Sequence, residues 1–240
     1  MSAHEIAKHA ANSYKALNEK GKSWRQRSLS FFLELIVIVF AISVSLLLER
    51  WRENVHDRQV EKEFLIGFRQ DLESDIKELK GDSASYFLQG TAASYFLKNK
   101  KYRNDSINVY FGTFFAFTRF LSNNSRFEAL KSSGKLHVIH NEELLNSIME
   151  LYQEKIPNLL METGTYLDTK LQRFVPYIED NYGMNSDSIE IERILQTKKA
   201  FNLLRAASST QFILAKYHSI IMHEKLLIDM VDKQVGRNIK

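Results

Sequence analysis

One apolar stretch decides the architecture of this chain: Leu29-Ser-Phe-Phe-Leu-Glu-Leu-Ile-Val-Ile-Val-Phe-Ala-Ile-Ser-Val-Ser-Leu-Leu-Leu48. It contains twenty residues, one charged side chain (Glu34) and neither Gly nor Pro. A helix needs about 20 apolar residues to cross the hydrocarbon core of a bilayer. The stretch therefore predicts a single retained transmembrane helix over residues 29–48. A buried core helix and a cleaved signal peptide fit less well, because a signal peptide has a shorter apolar region.

Both ends of this stretch carry tryptophan and cationic side chains, the pattern of a membrane–water interface. The predicted interface residues are Trp24, Arg25, Arg27, Arg50, Trp51 and Arg52. Residues 1–28 hold six Lys and Arg, whereas only Arg50, Arg52 and Arg58 precede Lys62 on the other side. This bias predicts a cytoplasmic N-terminus in a bacterial inner membrane, with residues 49–240 in the periplasm.

Glu34 is the intramembrane polar residue of the prediction. A charged side chain inside a bilayer costs free energy, so it is by default a candidate functional residue. Glu34 lies about one turn from the cytoplasmic end of the stretch, near Arg27. Extension of its carboxylate to the headgroups, or pairing with another helix, is therefore favoured over ion translocation.

The composition excludes several classes of protein. Nine Gly and two Pro in 240 residues are too few turn formers for a typical all-β sandwich or a disordered linker. The absence of Cys excludes a disulfide scaffold and thiolate metal sites. The net charge of +4 arises within residues 1–28, so it does not indicate a nucleic-acid-binding surface.

Helical periodicity dominates the rest of the chain. The membrane helix is predicted to continue to about Lys80, where Gly81-Asp82-Ser83 would end it, and its outer half carries an interaction stripe of Phe64, Phe68, Leu72 and Ile76. Further helices are predicted over 125–131, from Asn141 with a bend at Pro157, and without a break from Ser188 to Gly236. The predicted fold class is all-α: a single N-terminal transmembrane helix continuing into an antiparallel helical bundle. The predicted domains are a basic segment with a short amphipathic helix (1–28), the membrane helix (29–48) and the bundle (49–240).

No catalytic constellation stands out. The chain has no Gly-rich phosphate loop, no G-x-S-x-G and no H-E-x-x-H. His137 and His140 near Glu143 could hold a metal only on a shared helix face, and a surface or capping role is favoured. The acidic pair Asp71 and Asp75 is predicted to be solvated. The aromatic run 110–120 could line a ligand pocket, although a core helix is favoured.

Three segments together resemble an uncharacterised family of small bacterial single-pass membrane proteins, domain of unknown function family 6090. They are Phe32-Leu-Glu34 through Leu48-Glu-Arg-Trp51-Arg-Glu53, Glu63-Phe-Leu-Ile-Gly-Phe-Arg-Gln-Asp-Leu-Glu-Ser-Asp75, and Phe127-Glu-Ala-Leu-Lys-Ser-Ser-Gly134-Lys-Leu with the following Asn141-Glu-Glu-Leu-Leu. The resemblance covers roughly residues 30–152. It implies the single-pass topology and carries no assigned activity.

These observations predict a non-catalytic scaffold or accessory subunit that binds membrane or periplasmic proteins, or further copies of itself. The alternative is a ligand-sensing domain that signals through its membrane helix to a partner. An enzyme is disfavoured, and no cofactor, metal or nucleic acid is expected.

Overall fold

A computed structural model describes residues 24–99, 104–181 and 188–237. No β-strand occurs among these residues, which confirms the all-α prediction. The amphipathic helix predicted within residues 1–28 falls almost wholly outside the described part. The described α-helices are α1 (Trp24–Lys98), α2 (Asn104–Phe114), α3 (Ser125–Ser132), α4 (Glu142–Glu150), α5 (Ile156–Asp168), α6 (Val175–Asn181), α7 (Ser188–Leu195), α8 (Lys198–Ser208) and α9 (Gln211–Arg237).

The chain divides into two units, Met1–Gln59 and Val60–Lys240. In the first unit, α1 is long and apolar enough to cross a membrane by length and composition, and none of its apolar window is buried within the chain. Two serine hydroxyls in this window donate to backbone carbonyls one turn earlier, Ser43 to Val39 (2.8 Å) and Ser45 to Ala41 (2.9 Å). These bonds satisfy the hydroxyls without water, as an apolar environment requires.

The predicted end of α1 at Gly81 is wrong, because the helix continues to Lys98. Gly81 is exposed, and a glycine inside a helix costs only about 1 kcal/mol relative to alanine. The following turns bury Tyr86, Ala93 and Phe96. Burial of a single large apolar side chain contributes about 1.5–3 kcal/mol, which outweighs the glycine.

Within the second unit, α1 lies parallel to the long run formed by α4 and α5. Glu61, early in this part of α1, contacts His140 just before α4. Farther along both elements, the rings of Tyr86 and Tyr166 are 5.5 Å apart. Because the two elements run in the same direction, the chain must pass back along the bundle after the first and before the second. Residues 115–141 form this connection.

The last helix, α9, lies antiparallel to both. Arg69 Nε donates to Asp232 Oδ1 at 2.7 Å near the C-terminal end of α9, and Asp82 accepts from the hydroxyl of Tyr217 near its beginning. Lys216 on α9 pairs at 3.9 Å with a carboxylate on α5. The bundle is therefore built on α1, the α4–α5 run and α9.

Two apolar clusters form the core of this unit. The first surrounds Phe68 and Leu72 of α1 and includes side chains of α3, α4 and α9. The second surrounds Phe96 of α1 and includes Phe114, Phe174 and Leu204. The aromatic run 110–120 supplies both clusters, as the favoured interpretation expected. However, its helix ends at Phe114, and the later residues form an irregular segment.

Two π-helical segments interrupt the α4–α6 run, Leu151–Lys155 and Thr169–Phe174. Each ends two residues before one of the chain's two prolines, Pro157 and Pro176. Proline has no N–H and its ring crowds the carbonyl four residues earlier, so an α-helical bond is lost there. In each segment the backbone shifts to a bond five residues back, Ile156 N to Leu151 O and Val175 N to Lys170 O.

The unbroken final helix predicted from Ser188 is wrong, because the chain forms α7, α8 and α9 in succession. Polar caps produce the breaks in the absence of Gly or Pro. Thr197 Oγ1 accepts from Ala200 N at 3.2 Å and begins α8. Ser209 and Thr210 separate α8 from α9, and Thr210 is buried.

Candidate functional site

The predicted interface residues lie at the expected places on α1. Trp24 and Trp51 are 83% and 68% exposed, and Arg50 and Arg52 are also exposed. The side chains of Arg25 and Arg27 fall outside the described part. Glu34 is partly exposed. The location of the two tryptophans at a membrane–water interface stays a prediction.

The predicted interaction stripe is not available to a partner. Phe64, Phe68, Leu72 and Ile76 all lie in the first apolar cluster, with 9% exposure at most. Phe64 and Phe68 stack with ring centroids 5.5 Å apart. The stripe is covered by helices of the same chain, so its role is to fold the bundle.

The most unusual chemistry lies inside the bundle, where three polar side chains from different elements meet; we call Asp75, Tyr152 and Glu224 the acid centre. Glu224 is completely buried, and neither of its carboxylate oxygens has a hydrogen-bond partner. The hydroxyl of Tyr152, in the first π segment, is buried and likewise unpartnered. Asp75 is completely buried too, so the prediction that it is solvated is wrong.

Asp75 differs from Glu224 in its hydrogen bonds. It accepts from Asn123 N at 3.0 Å, from Asn123 Nδ2 at 2.6 Å and from Ser122 Oγ at 3.2 Å. Burial raises the pKa of Asp75, and these bonds oppose the increase. For Glu224, burial and then the charge of Asp75 raise the pKa to about 9. Donors favour a charged carboxylate, so of these two groups Glu224 is the one that keeps its proton at neutral pH.

A second polar centre, the lysine centre, surrounds Lys170 in the second π segment. Lys170 is only 1% exposed, and its ammonium donates to Gln89 Oε1 at 2.7 Å and to the carbonyl of Ala116 at 3.2 Å. It also lies 5.2 Å from the ring centroid of Phe114 and 5.3 Å from that of Tyr166. Burial lowers the pKa of Lys170 to about 8. Carbonyl oxygens and aromatic faces, rather than a carboxylate, thus hold this cation.

The histidines noted in the sequence do not come together. His140 Nδ1 lies 3.2 Å from Glu61 Oε2, and its backbone N–H donates to the other oxygen of that carboxylate. His137 Nδ1 lies 3.3 Å from the carbonyl of Gly134. Within the described ranges, no group of three His, Asp or Glu side chains is arranged to hold a metal ion.

An irregular segment, residues 115–124, is tied to α1 by hydrogen bonds and still presents apolar side chains outward. Tyr86 donates to the carbonyl of Thr118 at 2.9 Å, and Glu78 accepts from Leu121 N at 2.9 Å. The acid centre fixes the end of the segment through Asn123. Between these ties, the side chains of Phe117 and Leu121 are 65% and 68% exposed.

The bundle surface also has open cavities. One, of about 710 Å³, lies beside Tyr166 between α5 and the α8–α9 junction, with Phe212 at its edge. Within the aromatic run, Phe114 and Phe120 are fully buried in the apolar clusters. A ligand pocket at that run was the less favoured interpretation of the sequence.

The buried polar residues were missed from the sequence, although a signal was present. Glu224 occupies a core position of α9, between Tyr217, Ile220 and Leu227 at helical spacing. Lys170 occupies the same kind of position between Tyr166 and Phe174. A charged residue in register with an apolar stripe is the pattern that identifies such sites.

The chain matches no protein-family model, and neither the curated proteins nor the solved structures include a significant match. The resemblance to domain of unknown function family 6090 therefore stays a prediction.

Proposed function

We propose that this protein is a non-catalytic, membrane-anchored scaffold or accessory subunit whose helical bundle binds a partner protein. In this proposal α1 spans a bacterial inner membrane, the N-terminus is cytoplasmic and the bundle is periplasmic. The Lys and Arg bias of the flanking residues supports that orientation. The lipid bilayer is then one partner, and the protein that the bundle binds is the other.

One observation carries the binding role: the segment 115–124 is held in place while Phe117 and Leu121 point into solvent. Ordering a loop costs conformational entropy, and loops that are nevertheless ordered and apolar are typical of binding surfaces. A pre-ordered segment loses little further entropy when it binds. The expected occupant is an apolar surface on a different protein of the same membrane.

The test is gentle detergent extraction of the tagged full-length chain, with mass spectrometry and light scattering on the same chromatographic peak. We expect a defined set of co-purifying membrane proteins. Replacing Phe117 and Leu121 with Ser should remove them without changing the circular dichroism melt. The matched control replaces Met222 and Leu226, which are about equally exposed on α9, and should retain them.

A clean monomer would contradict the scaffold role. A homo-oligomer that depends on Phe117 would replace the partner protein with a second copy of this chain. Equal loss of partners in the Met222 and Leu226 variant would show that general surface hydrophobicity, rather than this segment, causes the association.

A ligand-sensing domain stays the alternative function, and the open cavities of the bundle are the observation that favours it. In that case a small molecule would bind the bundle, and α1 would carry the response to a partner. Titration of the purified chain with candidate ligands separates the two functions, because a scaffold does not require a ligand to hold its partners.

A further inference from the structure

A second cavity differs from the first in the charge of its lining. It has a volume of about 620 Å³ and lies between the region 172–180 and the beginning of α8. Among the described residues, its lining includes the cations Arg173, Lys198 and Lys199 and one carboxylate, Asp180. We call it the basic cavity. Its lining therefore carries an excess of two positive charges.

The three cations of the basic cavity lack the carboxylate partners that some basic residues of the bundle have. Elsewhere, Arg69 pairs with Asp232 at 2.7 Å and Arg126 with Asp71 at 3.0 Å. None of the three forms an ion pair with a carboxylate in the described ranges. Three like charges that share a cavity with one carboxylate repel one another, so this arrangement stabilises the fold less than dispersed charges would.

The wall of the basic cavity is held by specific contacts. The hydroxyls of Tyr177 and Thr197 are 2.7 Å apart, which joins α6 to the cap of α8. Thr197 in turn accepts from Ala200 N, so the first turn of α8 has a fixed position. The ammonium of Lys199 lies 4.6 Å from the ring centroid of Tyr177. The aromatic ring orients this lysine without neutralising its charge.

We propose that the basic cavity binds a small polyanion, an organic molecule that carries at least two phosphate or carboxylate groups. The guanidinium of Arg173 suits a planar or tetrahedral oxyanion, to which it can donate two parallel hydrogen bonds. The two adjacent lysines supply point charges for a second oxyanion group. A volume of about 620 Å³ exceeds that of inorganic phosphate and lies within the range of small-molecule sites, about 300–1,000 Å³. This site is independent of the proposed scaffold function.

The test is isothermal titration of the full-length chain in detergent with two probes, inorganic pyrophosphate and citrate. We expect binding of at least one probe that weakens as salt is added. The triple variant R173Q/K198Q/K199Q should bind at least about tenfold more weakly, since charge-assisted hydrogen bonds are lost. The control variant K77Q/K80Q/K225Q removes the same charge from exposed lysines that do not line the cavity, and it should bind like the wild type.

The probes also distinguish the chemistry of the ligand. Preference for pyrophosphate assigns a phosphorylated molecule, and preference for citrate assigns a polycarboxylate. The proposal is overturned if neither probe binds, or if both triple variants lose affinity equally, because net charge alone would then explain the attraction. Partner co-purification is measured separately, so a failure here leaves the scaffold experiment unaffected.

Discussion

Replacing Glu224 with Gln should stabilise the bundle and remove much of its dependence on pH. Glu224 is completely buried without a hydrogen-bond partner, and its pKa is raised to about 9 from the ordinary 4.5. Glutamine has nearly the same shape as the protonated acid and does not ionise. The substitution therefore leaves the packing in place and removes the cost of keeping a proton on the carboxyl.

The size of the effect follows from the two pKa values. One pH unit corresponds to about 1.4 kcal/mol, so holding Glu224 protonated at pH 7 costs about 3 kcal/mol relative to an unfolded chain. The unfolded chain releases this proton near pH 4.5, whereas the folded chain keeps it to about 9. The contribution of Glu224 is most favourable below pH 4.5, and it falls by about 1.4 kcal/mol per unit until pH 9.

The assay is urea denaturation of full-length protein in a mild non-ionic detergent, followed by far-ultraviolet circular dichroism at pH 5, 7 and 9. We expect the difference in free energy of unfolding between E224Q and the wild type to grow steadily across this series. The difference reports Glu224 together with its effect on the neighbouring Asp75 and Tyr152, because the titrating groups elsewhere are common to both proteins. D229N is the control, since Asp229 is an exposed carboxylate on the same helix that pairs with Lys233.

Parallel pH profiles for E224Q and the wild type would refute this reasoning, because they would show that Glu224 ionises normally in the folded chain. A large destabilisation of E224Q at every pH would also refute it. Such a result would mean that the carboxylate has a partner that the amide cannot replace.

Three further outcomes test the packing and the lysine centre by the same assay. Between pH 8 and 10.5 the free energy of unfolding of the wild type should rise by about 1.4 kcal/mol per pH unit relative to that of K170M. The pKa of Lys170 is lowered in the folded chain, so in this range the unfolded chain binds a proton at Lys170 that the folded chain has released. G90A should lose about 1–3 kcal/mol, since a Cβ at Gly90 would clash with Thr210, whereas G81A meets no atom within 4 Å and should gain about 0.5–1 kcal/mol. F68A should lose about 3–5 kcal/mol from the buried core, against less than about 1 kcal/mol for the exposed control I66A.

The sequence predicted the features that depend on local patterns. The helical class, the apolar span and the cap at Asn141, whose side chain accepts from Leu144 N at 3.1 Å, all follow from spacing and residue type. The positive φ of 72° at Gly134 likewise agrees with the predicted end of α3. Each of these features is set within a few residues of where it occurs.

The errors arose where packing overrides local preference. Gly81 does not end α1, because later turns bury apolar side chains. The stripe of Phe64, Phe68, Leu72 and Ile76 is buried in a cluster that includes side chains of α3, α4 and α9. The position of α9 depends on contacts more than a hundred residues apart, such as that between Asp82 and Tyr217. The neutral state of Glu224 is equally non-local, since Asp75 and Tyr152 come from distant parts of the chain.

The acid and lysine centres together explain why a bundle would keep buried polar groups that cost stability. An apolar helix interface can shift by one turn and still bury much of its surface, whereas specific polar contacts fix one register. Asp75 and Gln89 lie about four turns apart on α1, and they bond to segment 115–124 and to Lys170 respectively. A slip of one turn would separate both sets of contacts at once and leave buried donors and acceptors unpaired. The two centres therefore align segment 115–124 and the α4–α6 run against α1. This alignment also sets where Phe117 and Leu121 are displayed, which links the interior chemistry to the proposed binding surface.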